Sequence, residues 1–311
     1  MIAARTNASL RTQFMLQLLV DTLLRASDLA LIALGLSMVY GLVKFPNIAH
    51  VQYAMAGAYL TYAMATFGLP LWASLILAAL VTGALTLVMH RLVFRKLLRG
   101  GPAIAMIGSL AVSMLVIAFC QGIAGSFPKM FNLPLTPPML IGDARITHLQ
   151  LYSVSTTVAL LAVFALILFY TRAGRAMRAL ATNPSLAAAS GLNAEWITRG
   201  VTFASGAVAG LGGGLLALSA GAHVQLGNDM LLPVFAAAIL GGLGNPLGAV
   251  AGAVLIALTE TLVTNLNFGP MLGKTVAFLP VGYINAGAFL ILLLALLFKP
   301  YGLFDREVRR V

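Results

Sequence analysis

Between Phe14 and Phe298 the chain passes through one apolar stretch after another, most of them long and few of them charged. A helix needs about 20 apolar residues to cross a bilayer. At that depth there is no water, so each backbone amide must be satisfied by the chain itself, which leaves helices or a closed barrel. The runs lack the strict alternation of barrel strands and read as helices. Composition agrees: of 311 residues, 60% are hydrophobic and 9% charged, against roughly 25% charged in a soluble domain. The expected fold is all-α, a polytopic integral membrane protein with about eight to nine transmembrane helices, some broken or re-entrant. It forms a single transmembrane domain over residues 1–311.

The formal net charge is +11, from 19 basic and 8 acidic residues. The basic residues gather in short loops beside apolar runs, which points to positive-inside anchoring in a lipid bilayer and not to nucleic acid. Arg91, Arg95, Lys96 and Arg99 form the densest loop, and Arg172, Arg175, Arg178 and Arg199 a second. Lys299, Arg306, Arg309 and Arg310 follow the last span. All three segments are expected in the cytoplasm, the C-terminus with them. Three spans before Arg91 then put the N-terminus outside, against the pull of Arg5 and Arg11, or else residues 14–67 contain an odd crossing. Residues 1–13 read as loose and carry no cleavable signal pattern. Phe14 to Val43 reads as an interfacial amphipathic half followed by a span from about Leu29, with Asp21, Arg25 and Asp28 pairing along one face.

Two breaks fall at membrane depth. Near Tyr40, the residues Gly41, Pro46 and Asn47 interrupt the helix, with Lys44, His50 and Gln52 alongside. Leu231 to Val263 is too long for one span and is interrupted at Gly241–Pro246, which includes Gly242, Gly244 and Asn245. Such breaks can present helix ends to a polar substrate; a Pro-Asn pair is equally an ordinary turn signal. Glu260 is an acid inside an apolar run, a functional residue by default, or one that faces headgroups at a helix end. The connection 123–148 is long and proline-rich, either a surface for a soluble partner or a plain loop. Residues 264–282 read as an interfacial connection.

Thr171 to Arg199 is a polar interruption with a complete short-helix signature. Asn183 can cap, Pro184 suits the first helical position, Ser185 to Ser190 is mostly alanine including Ala188, and Gly191 can take the left-handed stop. A short, well-capped helix on the basic side reads as a docking surface or as a solvated loop.

Covalent chemistry finds no support. Gly273-Lys274-Thr275 lacks the upstream glycine of a phosphate loop. The four histidines are scattered, and Cys120 stands alone. No cofactor and no enzymatic activity are expected, so the energy for any transport must come from elsewhere.

Three markers carry a family resemblance. The first is ALGLSMVYGLVKFPNIAH followed by MAGAY, with Tyr40-Gly41, Asn47, Ala49-His50 and Gly57-Ala58-Tyr59 matching; Ile48 and Val51 replace the usual aromatic and glycine. The second is TRAGRAMRALATNPSLAAASGLN, and the third AAAILGGLGNPLGAVAGAVLIALTE. In this order they resemble the permease subunits of branched-chain amino acid ABC transporters, the LivH-like family of the bacterial inner membrane. The resemblance implies a second permease subunit, two ABC ATP-binding subunits that hold the ATP, and a soluble substrate-binding protein outside. It implies that residues 171–199 form the cytoplasmic coupling loop, with Arg175, Arg178, Asn183, Pro184, Ser185, Ala188 and Gly191 meeting the ATPase. Tyr40, Pro46, Asn47, His50, Gly242, Gly244, Asn245 and Glu260 are the expected substrate pathway. Urea or short amides are the alternative cargo. A stand-alone secondary transporter would instead need matched breaks and coupling-ion ligands.

Overall fold

The computed structural model describes residues 2–134, 137–141, 144–266, 278, 280–299 and 302–303. The helices are α1 Ile2–Val43, α2 His50–Thr66, α3 Leu71–Met89, α4 Arg95–Leu97, α5 Pro102–Ala124, α6 His148–Tyr170, α7 Arg172–Thr182, α8 Pro184–Ala189, α9 Ala194–Ala220, α10 Leu226–Gly241, α11 Pro246–Asn265 and α12 Ile284–Phe298. A π-helical turn, His90–Phe94, joins α3 to α4. Among the described residues, six helical segments are long and apolar enough to cross a membrane, and α10 and α12 are shorter apolar helices. The fold is thus an all-α polytopic membrane protein with six clear spans.

α1 is the centre of the bundle. Leu29, Leu31, Ile32, Leu34 and Leu36 are all buried, so this part of the helix is covered all round. One helix replaces the expected loose N-terminus and interfacial half: it is continuous from Ile2, and its membrane-length part is Met15–Val43. Arg25 and Asp28 therefore lie within a span. No proline or glycine interrupts α1 before Gly35, which is why the turn of polar residues does not end it.

α2, α3 and α9 pack by backbone contact. A methyl group at Gly57 would collide with the backbone of Gly210, and one at Gly213 with the backbone of Ala54. Gly206 and Gly210 receive Thr86 and Thr82. Those threonines can sit in an apolar seam because each hydroxyl donates to a carbonyl of its own helix, Thr82 to Ala78 at 2.7 Å and Thr86 to Thr82 at 2.9 Å. Small residues are the means by which helices in lipid approach closely. α10 and α11 repeat the device, with Gly241 against Gly248 and Gly252 against Ala237.

The bundle has two distinct ends. At one, a hairpin of β1 Met139–Ile141 and β2 Ala144–Ile146 lies in the 123–148 connection, and the Arg145 amide donates to Gln17 of α1. Lys129 and Ala222 pair as an isolated bridge there. At the other, Arg95 bonds Glu195 at the start of α9, and Phe94 packs on Phe45 just past α1. Leu303 reaches the same end by donating its amide to Leu240. The Gly273–Thr275 triplet, Asp143 and the terminal arginines Arg306, Arg309 and Arg310 lie outside the described residues.

Candidate functional site

The expected pathway residues fall into three groups spaced along α1. At the arginine-rich end, Tyr40 and Gly41 face the break between α10 and α11. Gly242 and Gly244 take left-handed φ of +92° and +94°, conformations open to glycine without strain. The turn lets the Gly244 amide donate to Ser37 at 3.2 Å. Asn245 then caps α11 by accepting from Gly248 at 3.1 Å, with Pro246 at the first helical position.

The middle group is built by the other break. Lys44 takes φ +57°, and the chain passes through Pro46 into a turn closed by the His50 amide on the Asn47 carbonyl at 3.1 Å before α2 begins inside the bundle. Pro46 is partly buried and Asn47 is buried, accepting from the Ala49 amide at 3.1 Å. The Ile48 amide is taken up by Ser109 of α5. His50 is buried with its Nε2 at 3.1 Å from the Ile32 carbonyl, while Ser205 of α9 donates to Gly35 at 2.8 Å and lies 3.5 Å from His50 Nδ1. α1, α2 and α9 are joined here by side chains bonded to α1 carbonyls.

Glu260 forms the third group. It does not face headgroups; it is 2% exposed, and its Oε2 accepts from Arg25 Nε at 2.5 Å. Arg25 therefore does not pair along α1: it reaches across to α11, and Asp21 instead accepts from Gln17 at 2.7 Å. Asp28 lies within electrostatic reach of both Arg25 and Glu260. Fifteen residues of α1 separate Arg25 from Tyr40, about 22 Å of helix.

The 171–199 stretch folds as two helices. Thr171 caps α7 by accepting from Gly174, and Asn183 caps α8 by accepting from Leu186 at 3.1 Å and from Ser185 Oγ at 2.8 Å. Gly191 closes α8 at φ +81°, with its amide donating to Ala188. Arg175 donates to the Tyr170 carbonyl at 3.2 Å, and Arg178 donates to the Leu168 carbonyl and lies over the Phe169 ring. Both cations thus cap the C-terminal end of α6, where helix carbonyls lack partners. Glu195 bridges Arg95 at 2.8 Å and Arg199 at 2.5 Å. Pro184, Ser185, Ala188 and Gly191 are exposed, and Ala187 turns inward. Two exposed apolar side chains at this end, Leu186 and Trp196, have no marker in the sequence. A lone Leu between Ser and Ala carries no signal of its own.

Residues 18–298 match the family model described as Branched-chain amino acid transport system / permease component. The chain belongs to this family. It is 31% identical to the high-affinity branched-chain amino acid transport system permease protein BraD of Pseudomonas aeruginosa, over 95% of this chain and 98% of the relative. It is 29% identical to the LivH permease protein of Escherichia coli K12, over 96% and 98%. The probable branched-chain amino acid transport permease protein LivH of Methanocaldococcus jannaschii is 30% identical over 88% of each chain. As a permease of this family the chain is a non-catalytic transmembrane component. All three groups along α1 and the α7–α8 stretch fall inside the family match.

Proposed function

We propose that this permease is the membrane subunit of a binding-protein-dependent ABC importer that carries branched-chain or related hydrophobic amino acids across the bacterial inner membrane. The observation that carries the reading is the family match over residues 18–298. The chain works with a second permease subunit, two ATP-binding subunits and a soluble binding protein. ATP is held and hydrolysed by the partners, and this chain moves.

α8 is the docking element for an ATP-binding subunit, held in shape by Asn183, Pro184, Ser185 and Gly191, with Ala188 on its exposed side. Arg175 and Arg178 fasten the stretch to α6, so a push on α8 reaches a span. Glu195 ties the start of α9 to the basic turn before α5. Tyr40, Pro46, Asn47, His50, Gly242, Gly244, Asn245 and Glu260 belong to the pathway for the substrate. With the arginine-rich end in the cytoplasm, following α1, α2, α3, α5, α6, α9, α10, α11 and α12 from end to end makes nine crossings. The N-terminus is then outside and the C-terminus cytoplasmic.

The test is reconstitution of the complete importer in proteoliposomes with leucine-loaded binding protein. Replacing residues 183–191 with a flexible linker should abolish ATPase binding and leucine uptake while the chain still inserts. Uptake at the unmodified rate would overturn the reading.

A further inference from the structure

α1 has two accessible faces within its span. Met15, Leu19 and Leu23 are exposed and apolar, suited to lipid. Gln17, Asp21, Arg25 and Asp28 recur at intervals of four, four and three on another side, each only partly covered. Charged groups at membrane depth face protein or water, not hydrocarbon. This polar stripe starts beside the hairpin, where Gln17 accepts from Arg145, and descends to Glu260.

At its foot the charges are incompletely matched. Glu260 takes the Arg25 guanidinium, and Asp28, one turn further along α1, lies within electrostatic reach of both. Glu260 is buried, one of its oxygens accepts from Arg25, and the other, Oε1, has no hydrogen-bond partner among the described residues. Arg25, its side chain a quarter exposed, makes among the described residues one further contact beyond Nε, an Nη 4.0 Å from the weakly accepting sulfur of Met230. A buried carboxylate oxygen without a donor costs more than an ordinary hydrogen bond returns. Acid and base thus each retain unused capacity, of opposite kinds and at one place.

We infer that Arg25, Asp28 and Glu260 form an α-amino-acid subsite, in which Arg25 takes the substrate carboxylate and Asp28 with Glu260 takes its ammonium. The inference rests on the import function proposed above. A zwitterion supplies both missing partners at once, so the protein's own ion pair is exchanged for two and no buried charge is left bare in passage. A lone cation or anion satisfies one half and leaves the other exposed, which closes the route to ions. Neutral urea or an amide would have no need of paired charges. An empty site closes on itself through the Arg25–Glu260 bond.

The test uses the complete importer in proteoliposomes with binding protein loaded with radiolabelled leucine, measuring leucine carried per ATP hydrolysed. Asp28→Asn keeps the side-chain shape, and Arg25→Met with Glu260→Leu removes both members of the bonded pair. In each, leucine per ATP is expected to fall at least about tenfold, with the complex assembled and its ATPase still stimulated by loaded binding protein. Asp28→Asn reads the subsite even where the double variant fails to assemble. Leucine carried at the wild-type ratio in either variant would overturn the subsite, because a purely structural pair tolerates apolar replacement. Wild-type importer whose ATPase ignores the loaded binding protein would overturn the import reading, and the subsite with it.

Discussion

Removing both end signals of α8 should disconnect the permease from its ATPase without disturbing the membrane bundle. α8 has six residues, of which Ala187 alone is buried. Isolated helices shorter than about 12 residues are marginal in water, so α8 depends on its ends. Asn183→Ala deletes the acceptor for the Leu186 amide and the Ser185 hydroxyl, a loss of about 1 kcal/mol. Gly191→Ala places a side chain at φ +81° with nothing within 4 Å, so the effect is backbone strain without a clash. That strain is about 1–2 kcal/mol. The two together come to about 2–3 kcal/mol, which lowers the folded fraction of α8 by about thirtyfold or more once unfolding dominates. Binding of the purified ATP-binding subunit to permease in nanodiscs should weaken at least about tenfold in Asn183→Ala/Gly191→Ala. Asn183→Asp and Asn183→Ser keep a capping oxygen and should bind as the parent does. Hydrogen exchange at residues 185–189 checks that the helix has loosened. A loosened helix with undiminished affinity would refute the docking role of α8.

The bundle seam and the membrane topology offer three further tests. Gly57→Ala drives a methyl group into the Gly210 backbone and should destabilise the detergent-solubilised protein by about 1–3 kcal/mol, whereas Gly122→Ala, with open space around it, should leave the thermal midpoint unchanged. Ser37→Ala strips the Gly244 amide of its acceptor and should lower stability by about 1–3 kcal/mol in the same melt; an unchanged midpoint would mean that the turn finds another partner. In a Cys120→Ala background, Leu140→Cys and Ser185→Cys, both exposed, should react with a membrane-impermeant thiol reagent from opposite sides of the membrane. Reaction from the same side would break the nine-crossing path.

Local structure was legible wherever a short segment carries its own reason. The Asn183-Pro184 start, the Gly191 stop and the division of residues 231–263 at Gly-Asn-Pro follow from caps and turn residues whose partners lie within four positions. Arg25 shows where that reasoning ends. Its spacing from Asp21 and Asp28 suits local pairing, yet its partner is 235 residues away. Surface pairs along a helix return a few tenths of a kcal/mol, whereas an acid buried between helices demands a partner; the buried acid takes the arginine. The start of α2 was hidden for a similar reason. The turn signal at Pro46-Asn47 is local, but its depth is set by Ser109 and by the Ile32 carbonyl, which belong to other helices. Leu186 and Trp196 are exposed because the fold leaves them so, and no periodicity announces that.

Where the bundle can open follows from what joins α1 to its neighbours. α2 and α9 meet backbone to backbone at Gly57 and Gly213, α3 meets α9 at Gly83 against the Phe203 carbonyl, and α10 meets α11 in the same way at Gly241 and Gly248. Interdigitated backbones cannot slide without collision, so each group moves as a block. On the α11 side, Gly41 and Gly244 also touch backbone to backbone at the arginine-rich end, while the other end is joined by the Arg25–Glu260 bond. A hydrogen-bonded ion pair can exchange its partners for water or substrate; a glycine contact cannot. Rotation of α10–α11 against α1 should therefore pivot at Gly41–Gly244 and separate at Glu260, toward the hairpin. Spin labels at Leu23 and Leu266, both exposed, should move apart by double electron–electron resonance when loaded binding protein docks in the presence of ATP, while labels at Leu42 and Leu243 hold their distance. Equal displacement of both pairs would place the pivot elsewhere and leave the Arg25–Glu260 bond a structural tie.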